Sequence, residues 1–154
     1  MSRTVARRQQ VVDPGEAFDG LLHRVVALNR VFGAAGEALA RPAGQTLARY
    51  LVLREAQGEG ASVAEIARRL RLARQGVQRV ADALVGEGLA AYAENPRHRR
   101  AKLVTLTDRG RGALDQIASA QRVWTCGLGE QLGSDKLAHL NALLDDVLRI
   151  TEAA

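Results

Sequence analysis

The sequence contains little cysteine and no long apolar run. Its 154 residues include one cysteine, Cys126, which excludes an intrachain disulfide and gives no sign of an oxidising compartment. No apolar run approaches the ~18 residues of a membrane span, and no signal-peptide core follows the basic N-terminus. We therefore expect a cytoplasmic protein without a membrane-spanning segment.

Aromatic residues are also scarce. They make up 3% of the chain, whereas 47% of the residues are hydrophobic, so aliphatic side chains and alanine must form the core. Alanine, leucine, arginine, glutamate and glutamine are common, and all are good helix formers. Length and composition predict one mainly helical domain of ordinary size.

The spacings of common catalytic and metal sites are missing. There is no glycine-rich phosphate loop, no nucleophile elbow and no meaningful pairing of a histidine with a carboxylate. The possible metal ligands are far apart in the sequence: His23, His98, His139 and Cys126. We expect neither an enzyme nor a bound metal or other cofactor.

Positive charge is concentrated in one segment. The net charge of the chain is +5, but the segment from Arg68 to Lys102 holds nine basic and three acidic residues, a net charge of +6. A basic segment in a nearly neutral chain is typical of a polyanion-binding surface, because each neutralised phosphate releases counterions. The alternative is an arginine-rich composition without functional meaning.

The order of predicted elements indicates a fold. Residues 1–15 are predicted to be a mobile basic arm, followed by helices at 16–39 and 45–56. Ser62 and Glu65 have the form of a capping box at the start of a third helix. A three-residue turn, a fourth helix and a basic hairpin with strands near 89–93 and 102–106 follow, which is the order of a winged helix-turn-helix.

Two further helices are predicted after this module, one from Asp108 that frays near Gly127 and one after Ser134. The fold class is therefore mainly α with a small β-hairpin wing. The first and last helices carry apolar stripes at Leu21, Val25, Leu28 and Phe32 and at Leu137, Leu140, Leu144 and Leu148. These stripes exceed what a small winged module needs, which allows a homodimer, although both helices could instead pack on their own monomer.

The fourth helix has the residue types that read DNA bases. Its polar face carries Arg74, Gln75, Gln78 and Arg79, and Gly76 leaves the backbone uncrowded. Arginine can form two hydrogen bonds with guanine, and glutamine can form two with adenine. An ordinary solvated helix face is the alternative.

The tip of the predicted hairpin carries a cluster of basic residues: Arg97, His98, Arg99 and Arg100. Guanidinium groups this close repel one another unless an anion lies between them, as a phosphate backbone or a narrow minor groove would. A solvated loop is the alternative. Ser62 and Arg68 complete the predicted DNA-binding residues. Arg68 fits a phosphate contact and a surface charge without function equally well.

The segments AEIARRL (64–70) and RQGVQRV (74–80) resemble the multiple-antibiotic-resistance regulator (MarR) family. The similarity continues through Asn95-Pro96 to the segment LTDRG (106–110), and it covers about residues 45–114. It implies a transcription regulator, usually a repressor, that binds a pseudo-palindromic operator in double-stranded DNA as a homodimer.

By this resemblance, residues 16–44 and 111–154 form dimerisation helices around a DNA-binding domain at 45–110. The implied interface residues are Leu21, Val25, Leu28, Leu137, Leu140, Leu144 and Leu148. Family members often bind a small anionic aromatic effector between these helices and the DNA-binding lobe, a position that His23, Arg49, Tyr50 and Trp124 would border here.

Two positions depart from the family pattern. The wing aspartate that usually pairs with an arginine is replaced in the Arg97-His98 region, which predicts a looser wing. Ala73 stands where many members have a serine or threonine cap, so a cap worth about 1 kcal/mol is expected to be absent. A ligand-binding or thiol-responsive (Cys126) regulator with weak or nonspecific DNA binding is the alternative function, although we expect Cys126 to be buried beside Trp124.

Overall fold

The computed structural model describes residues 13–96, 98 and 100–153. Most of the predicted arm (1–12) and the wing residues Arg97 and Arg99 lie outside the described residues. The chain forms two compact units that divide between Ala35 and Gly36. The first unit is the N-terminal part of helix α1, and the second contains the remaining elements.

The second unit has the predicted order of a winged helix-turn-helix. Its elements are the end of α1 (Pro14–Ala40), a 3-10 turn (Arg41–Ala43), α2 (Leu47–Glu55), β1 (Ala61–Ser62), α3 (Val63–Leu70), α4 (Arg74–Gly86), β2 (Ala90–Ala93), β3 (Leu103–Leu106), α5 (Asp108–Leu132) and α6 (Ser134–Glu152). The strands form an antiparallel sheet in the order β1-β3-β2. We call β2, β3 and the residues between them the wing. The predicted fold class is confirmed.

The first helix begins earlier than predicted. It starts at Pro14 and not at Glu16, so Pro14 and Gly15 do not belong to the predicted arm. A carboxylate oxygen of Asp13 accepts hydrogen bonds from the amides of Gly15 at 2.9 Å and Glu16 at 3.1 Å. Proline suits the first turn of a helix, since its missing N–H would have no partner there.

Helix α5 continues through the glycines that were predicted to fray it. It ends at Leu132, before Gly133 with a φ of +84°. An interior glycine costs a helix only about 1 kcal/mol, too little to interrupt an element of 25 residues.

Strand β1 was not predicted. Its two residues pair with Leu103 and Val104 of β3, and a strand this short leaves no alternation in the sequence. Gly60 precedes it with a φ of +85°, and a Cβ there would lie 2.6 Å from the carbonyl oxygen of Val104. The close approach of the two backbone segments explains why a glycine stands at this position.

The core of the second unit holds the recognition module in place. Helices α2 to α5 and the sheet meet around buried aliphatic residues, among them Leu53, Ile66, Leu84, Val104 and Leu114. Ile66 of α3 and Leu84 of α4 are both fully buried. Burial of such side chains stabilises a fold by about 1.5–3 kcal/mol each, which fixes α3 and α4 against the wing.

Two helices expose apolar residues. In the first unit, α1 exposes Val25 and Leu28, while Leu21 is half-buried. In the second unit, α6 exposes Leu140, Leu144 and Leu148, while Leu137 is half-buried. Within the described part of the chain, no helix combines the length and the apolar character needed to cross a membrane.

Candidate nucleic-acid interface

Helix α4 presents its predicted polar face to solvent. Arg74, Gln75 and Arg79 are exposed, whereas Val77 and Ala81 are buried on the opposite side. Ala73 precedes the helix without a side-chain cap, as predicted. The three-residue turn before α4 begins at Arg71, which adopts the left-handed conformation with a φ of 54° and so ends α3.

A cleft of about 310 Å³ lies between the start of α3, helix α4 and the wing. Its described lining consists of Ser62, Val63, Ala64, Arg74, Gln78, Tyr92, Arg100, Ala101 and Lys102. None of these lining residues is acidic, and three are cationic. The cleft therefore gathers predicted DNA-binding residues from three separate elements into one electropositive surface that suits an anion.

Ser62 is committed to the capping box at the start of α3. Its hydroxyl accepts a hydrogen bond from the Glu65 amide at 3.3 Å and donates one to Glu65 Oε2 at 2.7 Å. The Ser62 amide donates to the same carboxylate at 2.8 Å. The backbone and hydroxyl of Ser62 hold the pKa of Glu65 below its usual value. Since Ser62 is only 6% exposed, its principal contribution to the site is to fix the start of α3.

Gln78 is tied to the wing, which the sequence did not reveal. Its side-chain amide donates to the Tyr92 hydroxyl at 2.8 Å and to Asp82 Oδ1 at 2.9 Å, while the Tyr92 hydroxyl donates to Asp82 Oδ1 at 2.6 Å. Partial burial and the Asp82 carboxylate raise the pKa of Tyr92 to about 12. The four-residue spacing of Gln78 and Asp82 was visible, but the contact with a strand residue was not.

The wing turn is organised by Asn95. The His98 amide donates to the carbonyl oxygen of Asn95 and to its Oδ1, both at 3.2 Å. His98 and Arg100 are exposed. A second depression of about 330 Å³ lies below this turn, where His98 and Asn95 approach Glu59, Glu65 and Arg69.

Part of the basic segment is neutralised within the chain. Arg69 approaches Glu55 at 3.7 Å, and Arg71 forms an ion pair with Glu152 at 2.6 Å. Arg68 is exposed on α3, outside the lining of the cleft. The positively charged surface is therefore smaller than the number of basic residues in the segment indicated.

The predicted effector residues are distributed over different elements. His23 lies on α1 in the first unit, where its Nδ1 is 2.8 Å from the carbonyl oxygen of Asp19. In the second unit, the buried Tyr50 donates a hydrogen bond to Gln121, and Trp124 is half-buried on α5. Arg49 forms an ion pair with Glu87, but its buried Nε has no hydrogen-bond partner among the described residues.

Cys126 is exposed on α5, so the expectation that it is buried is wrong. It lies in the part of α5 beyond the last buried residues of that helix, where the core no longer covers the helix. Among the described residues, no three side chains of His, Cys, Asp or Glu gather into a possible metal site.

A winged helix-turn-helix with an electropositive recognition face defines a class of regulatory proteins, and sequence comparison agrees with this class. The model of the MarR family matches residues 43–101. An uncharacterized protein of Mycobacterium tuberculosis is 41% identical over 97 residues, which cover 63% of this chain and 68% of that protein.

Two solved structures show how far the likeness of the fold extends. The transcriptional repressor CouR, bound to a 23-mer DNA duplex, is 26% identical with a TM-score of 0.73, over 89% of this chain and 98% of that chain. Staphylococcus aureus MarR, in complex with salicylate and kanamycin, is 15% identical with a TM-score of 0.74, over 90% of this chain and 94% of that chain.

The chain belongs to the MarR family, whose members are transcription regulators and not enzymes. This membership confirms the resemblance noted in the sequence. It also confirms the predictions of a transcription regulator and of a chain that is not an enzyme.

Proposed function

We propose that this protein is a sequence-specific regulator that binds double-stranded DNA through α4 and the wing, and that it acts as a repressor. The observation that carries the proposal is the electropositive cleft, in which Arg74 and Gln78 of α4 lie beside Arg100 and Lys102 of the wing. A winged helix places its second short helix in the major groove, so these elements would meet one stretch of duplex.

Different residues have different proposed roles. Arg74, Gln75 and Arg79 are exposed on α4 and can reach base edges, while Gly76 keeps the backbone free of a side chain. His98 and Arg100 are exposed on the wing, and together with Arg97 and Arg99 they are proposed to contact phosphates or the minor groove. Arg68 is a further proposed phosphate contact.

The start of α3 supplies a further phosphate site. Backbone N–H groups at the N-terminus of a helix attract anions, and Ala64 in the first turn of α3 lines the cleft. We propose that Ser62 contributes by fixing this turn through its capping box.

The exposed apolar residues of α1 and α6 support a homodimer. On α6, Leu140 and Leu148 are 47% and 44% exposed, and on α1, Val25 and Leu28 are 44% and 48% exposed. A second copy that covers these faces would relate two DNA-binding domains by a two-fold axis. We therefore propose residues 16–44 and 111–154 as dimerisation helices, 45–110 as the DNA-binding domain, and a pseudo-palindromic operator as the target.

A small anionic aromatic effector is the proposed signal for release from DNA. S. aureus MarR has been solved with salicylate, which is such a compound. In this chain, the guanidinium group of Arg49 retains a buried Nε without a hydrogen-bond partner among the described residues, and this group could bind an anion. If salicylate at saturation changes neither the fluorescence of Trp124 nor DNA affinity, this part of the proposal is wrong.

The exposure of Cys126 supports a second candidate, a thiol-responsive regulator. Oxidants reach exposed thiols more readily than buried ones. DNA binding by the wild type and by Cys126→Ser, measured before and after peroxide treatment, separates the candidates. A loss of binding only in the wild type supports the thiol response, and equal behaviour excludes it.

The DNA-binding proposal is tested by titrating duplexes selected from a random pool at several salt concentrations. Arg100→Ala is expected to weaken binding to all sequences and to lower the salt slope by about one, whereas Arg79→Ala is expected to cost about 1–3 kcal/mol at one base pair. Arg54→Ala, which removes an exposed arginine of α2 outside the lining of the cleft, is the charge-matched control. An unchanged salt slope in Arg100→Ala contradicts the proposal.

A further inference from the structure

Three side chains form a closed triangle of hydrogen bonds between α4 and the wing. Gln78 and Asp82 lie one turn apart on α4, and Tyr92 lies on β2. The three sides measure 2.8 Å from Gln78 to Tyr92, 2.9 Å from Gln78 to Asp82 and 2.6 Å from Tyr92 to Asp82. The triangle lies at the cleft, since Gln78 and Tyr92 both line it.

Proton counting fixes the orientation of the Gln78 amide. The ionised Asp82 carboxylate can only accept hydrogen bonds, and the Tyr92 hydroxyl uses its single proton to donate to it. The group of Gln78 that faces both partners must therefore be the NH₂ group. Asp82 and Tyr92 therefore hold this NH₂ group, and the amide oxygen Oε1 remains for a contact with a ligand.

We propose that Tyr92 and Asp82 are positioning residues that restrict Gln78 to accepting a hydrogen bond from DNA, which determines the base preference at one position of the site. This inference rests on the proposed DNA-binding function. A glutamine with a free NH₂ group forms its two-hydrogen-bond pair with adenine, by donating to N7 and accepting from N6. Restricted Gln78 accepts equally well from adenine N6 or cytosine N4, and it disfavours guanine and thymine, whose major-groove edges offer it no amino group.

The triangle persists because one of its members is charged and its hydroxyl keeps its proton. Hydrogen bonds to an ionised carboxylate are stronger than neutral ones, so release of Gln78 from Asp82 is unfavourable. The raised pKa of Tyr92, about 12, keeps its hydroxyl protonated and available as a donor throughout the neutral range.

The test is selection of bound duplexes from a randomised pool, followed by sequencing, for the wild type and four variants. Gln78→Ala identifies the base pair that Gln78 contacts, because preference is lost there. The wild type is expected to accept adenine and cytosine at that pair. Tyr92→Phe removes one of the two groups that hold the Gln78 NH₂ group, and the preference for adenine over cytosine is expected to rise on the order of tenfold.

The remaining variants keep the test decisive. Asp82→Ala removes two sides of the triangle without altering the tyrosine ring and is expected to shift the preference in the same direction. Thr105→Val is the matched control, since it removes a wing hydroxyl that bonds the carbonyl oxygen of Ala91 and lies outside the lining of the cleft. Circular dichroism confirms that each variant is folded.

The outcomes distinguish this inference from the function on which it rests. If the wild type selects no motif, the proposed sequence-specific function fails, and the inference fails with it. If the wild type selects a motif but Gln78→Ala changes no position, or if Tyr92→Phe and Asp82→Ala leave the adenine-to-cytosine ratio unchanged, the inference alone is overturned. A wild type that already excludes cytosine at the Gln78 position also overturns it.

Discussion

Gly110 lies in the first turn of α5, against the backbone that leads into the wing. A Cβ at this position would lie 1.9 Å from the carbonyl oxygen of Leu89 and 2.9 Å from its carbonyl carbon. The same oxygen accepts a hydrogen bond from the Thr107 amide at 3.2 Å, and Thr107 caps α5 by accepting from Gly110 N at 3.1 Å. Gly110→Ala therefore requires a shift of backbone, because no flexible side chain can move aside.

The expected loss follows from three contributions. Overpacking against a rigid neighbour costs about 3 kcal/mol at the upper end of its usual range. Loss of the Thr107–Leu89 hydrogen bond costs about 1 kcal/mol more. Alanine is favoured over glycine within a helix by about 1 kcal/mol, which offsets part of the cost. We expect Gly110→Ala to lower the free energy of unfolding by about 3 kcal/mol.

Gly112→Ala is the matched control. It makes the same substitution two residues further along α5, where an added Cβ would meet nothing within 4 Å, and we expect it to raise stability by up to about 1 kcal/mol. Urea unfolding followed by circular dichroism, at one fixed protein concentration, measures both variants. If Gly110→Ala is as stable as the wild type, the close packing of α5 on Leu89 is wrong.

Three further predictions concern the capping box, the triangle and the dimer. Ser62→Ala is expected to lower the free energy of unfolding by about 1 kcal/mol and to raise the pKa of Glu65. In the wild type, the lowered pKa of Glu65 contributes stability that is lost as pH falls through that pKa. In an acid unfolding series, this loss should be smaller for Ser62→Ala. The pKa of Tyr92 in the folded protein is raised from 10.0 to about 12, so its contribution to stability is complete below pH 10 and is lost as pH rises towards 12. Unfolding of Tyr92→Phe should lack this alkaline loss of stability. Identical alkaline profiles of the variant and the wild type contradict the prediction. Leu144→Glu, which adds charge to the exposed face of α6, is expected to yield monomers in sedimentation velocity, and an unchanged mass contradicts the proposed dimer face.

Much of the winged module could be predicted because its signals are local. The Ser62–Glu65 capping box and the hairpin near 89–106 both arise from patterns within a few residues, and both appear in the structure. The candidate face of α4 also follows from local spacing, since Arg74 and Arg79 lie opposite the buried positions of one helix.

The remaining features depend on contacts between distant parts of the chain. The bond from Gln78 to Tyr92 spans 14 residues, and the ion pair of Arg71 with Glu152 joins a turn to the last helix. Neither contact produces a periodic pattern in the sequence from which it could be predicted. For the same reason, the commitment of Gln78 to the wing was missed when its face was interpreted as freely available for base contacts.

Local signals also misled where an energetic cost was small. The glycines of α5 favour an early end to that helix, but each costs only about 1 kcal/mol, so α5 continues to Leu132. Cys126 was expected to be buried because lone cysteines usually are, yet the core reaches only as far as Ile117 on this helix.

The most direct test of the central proposal is the mass of the protein–DNA complex, measured by sedimentation on a selected duplex in the presence of excess random DNA. We predict a complex of two protomers per duplex that survives the competitor, because two copies joined through α1 and α6 would present two α4 helices to adjacent major grooves. A complex of one protomer per duplex, or one that the random DNA removes, contradicts a dimeric sequence-specific regulator.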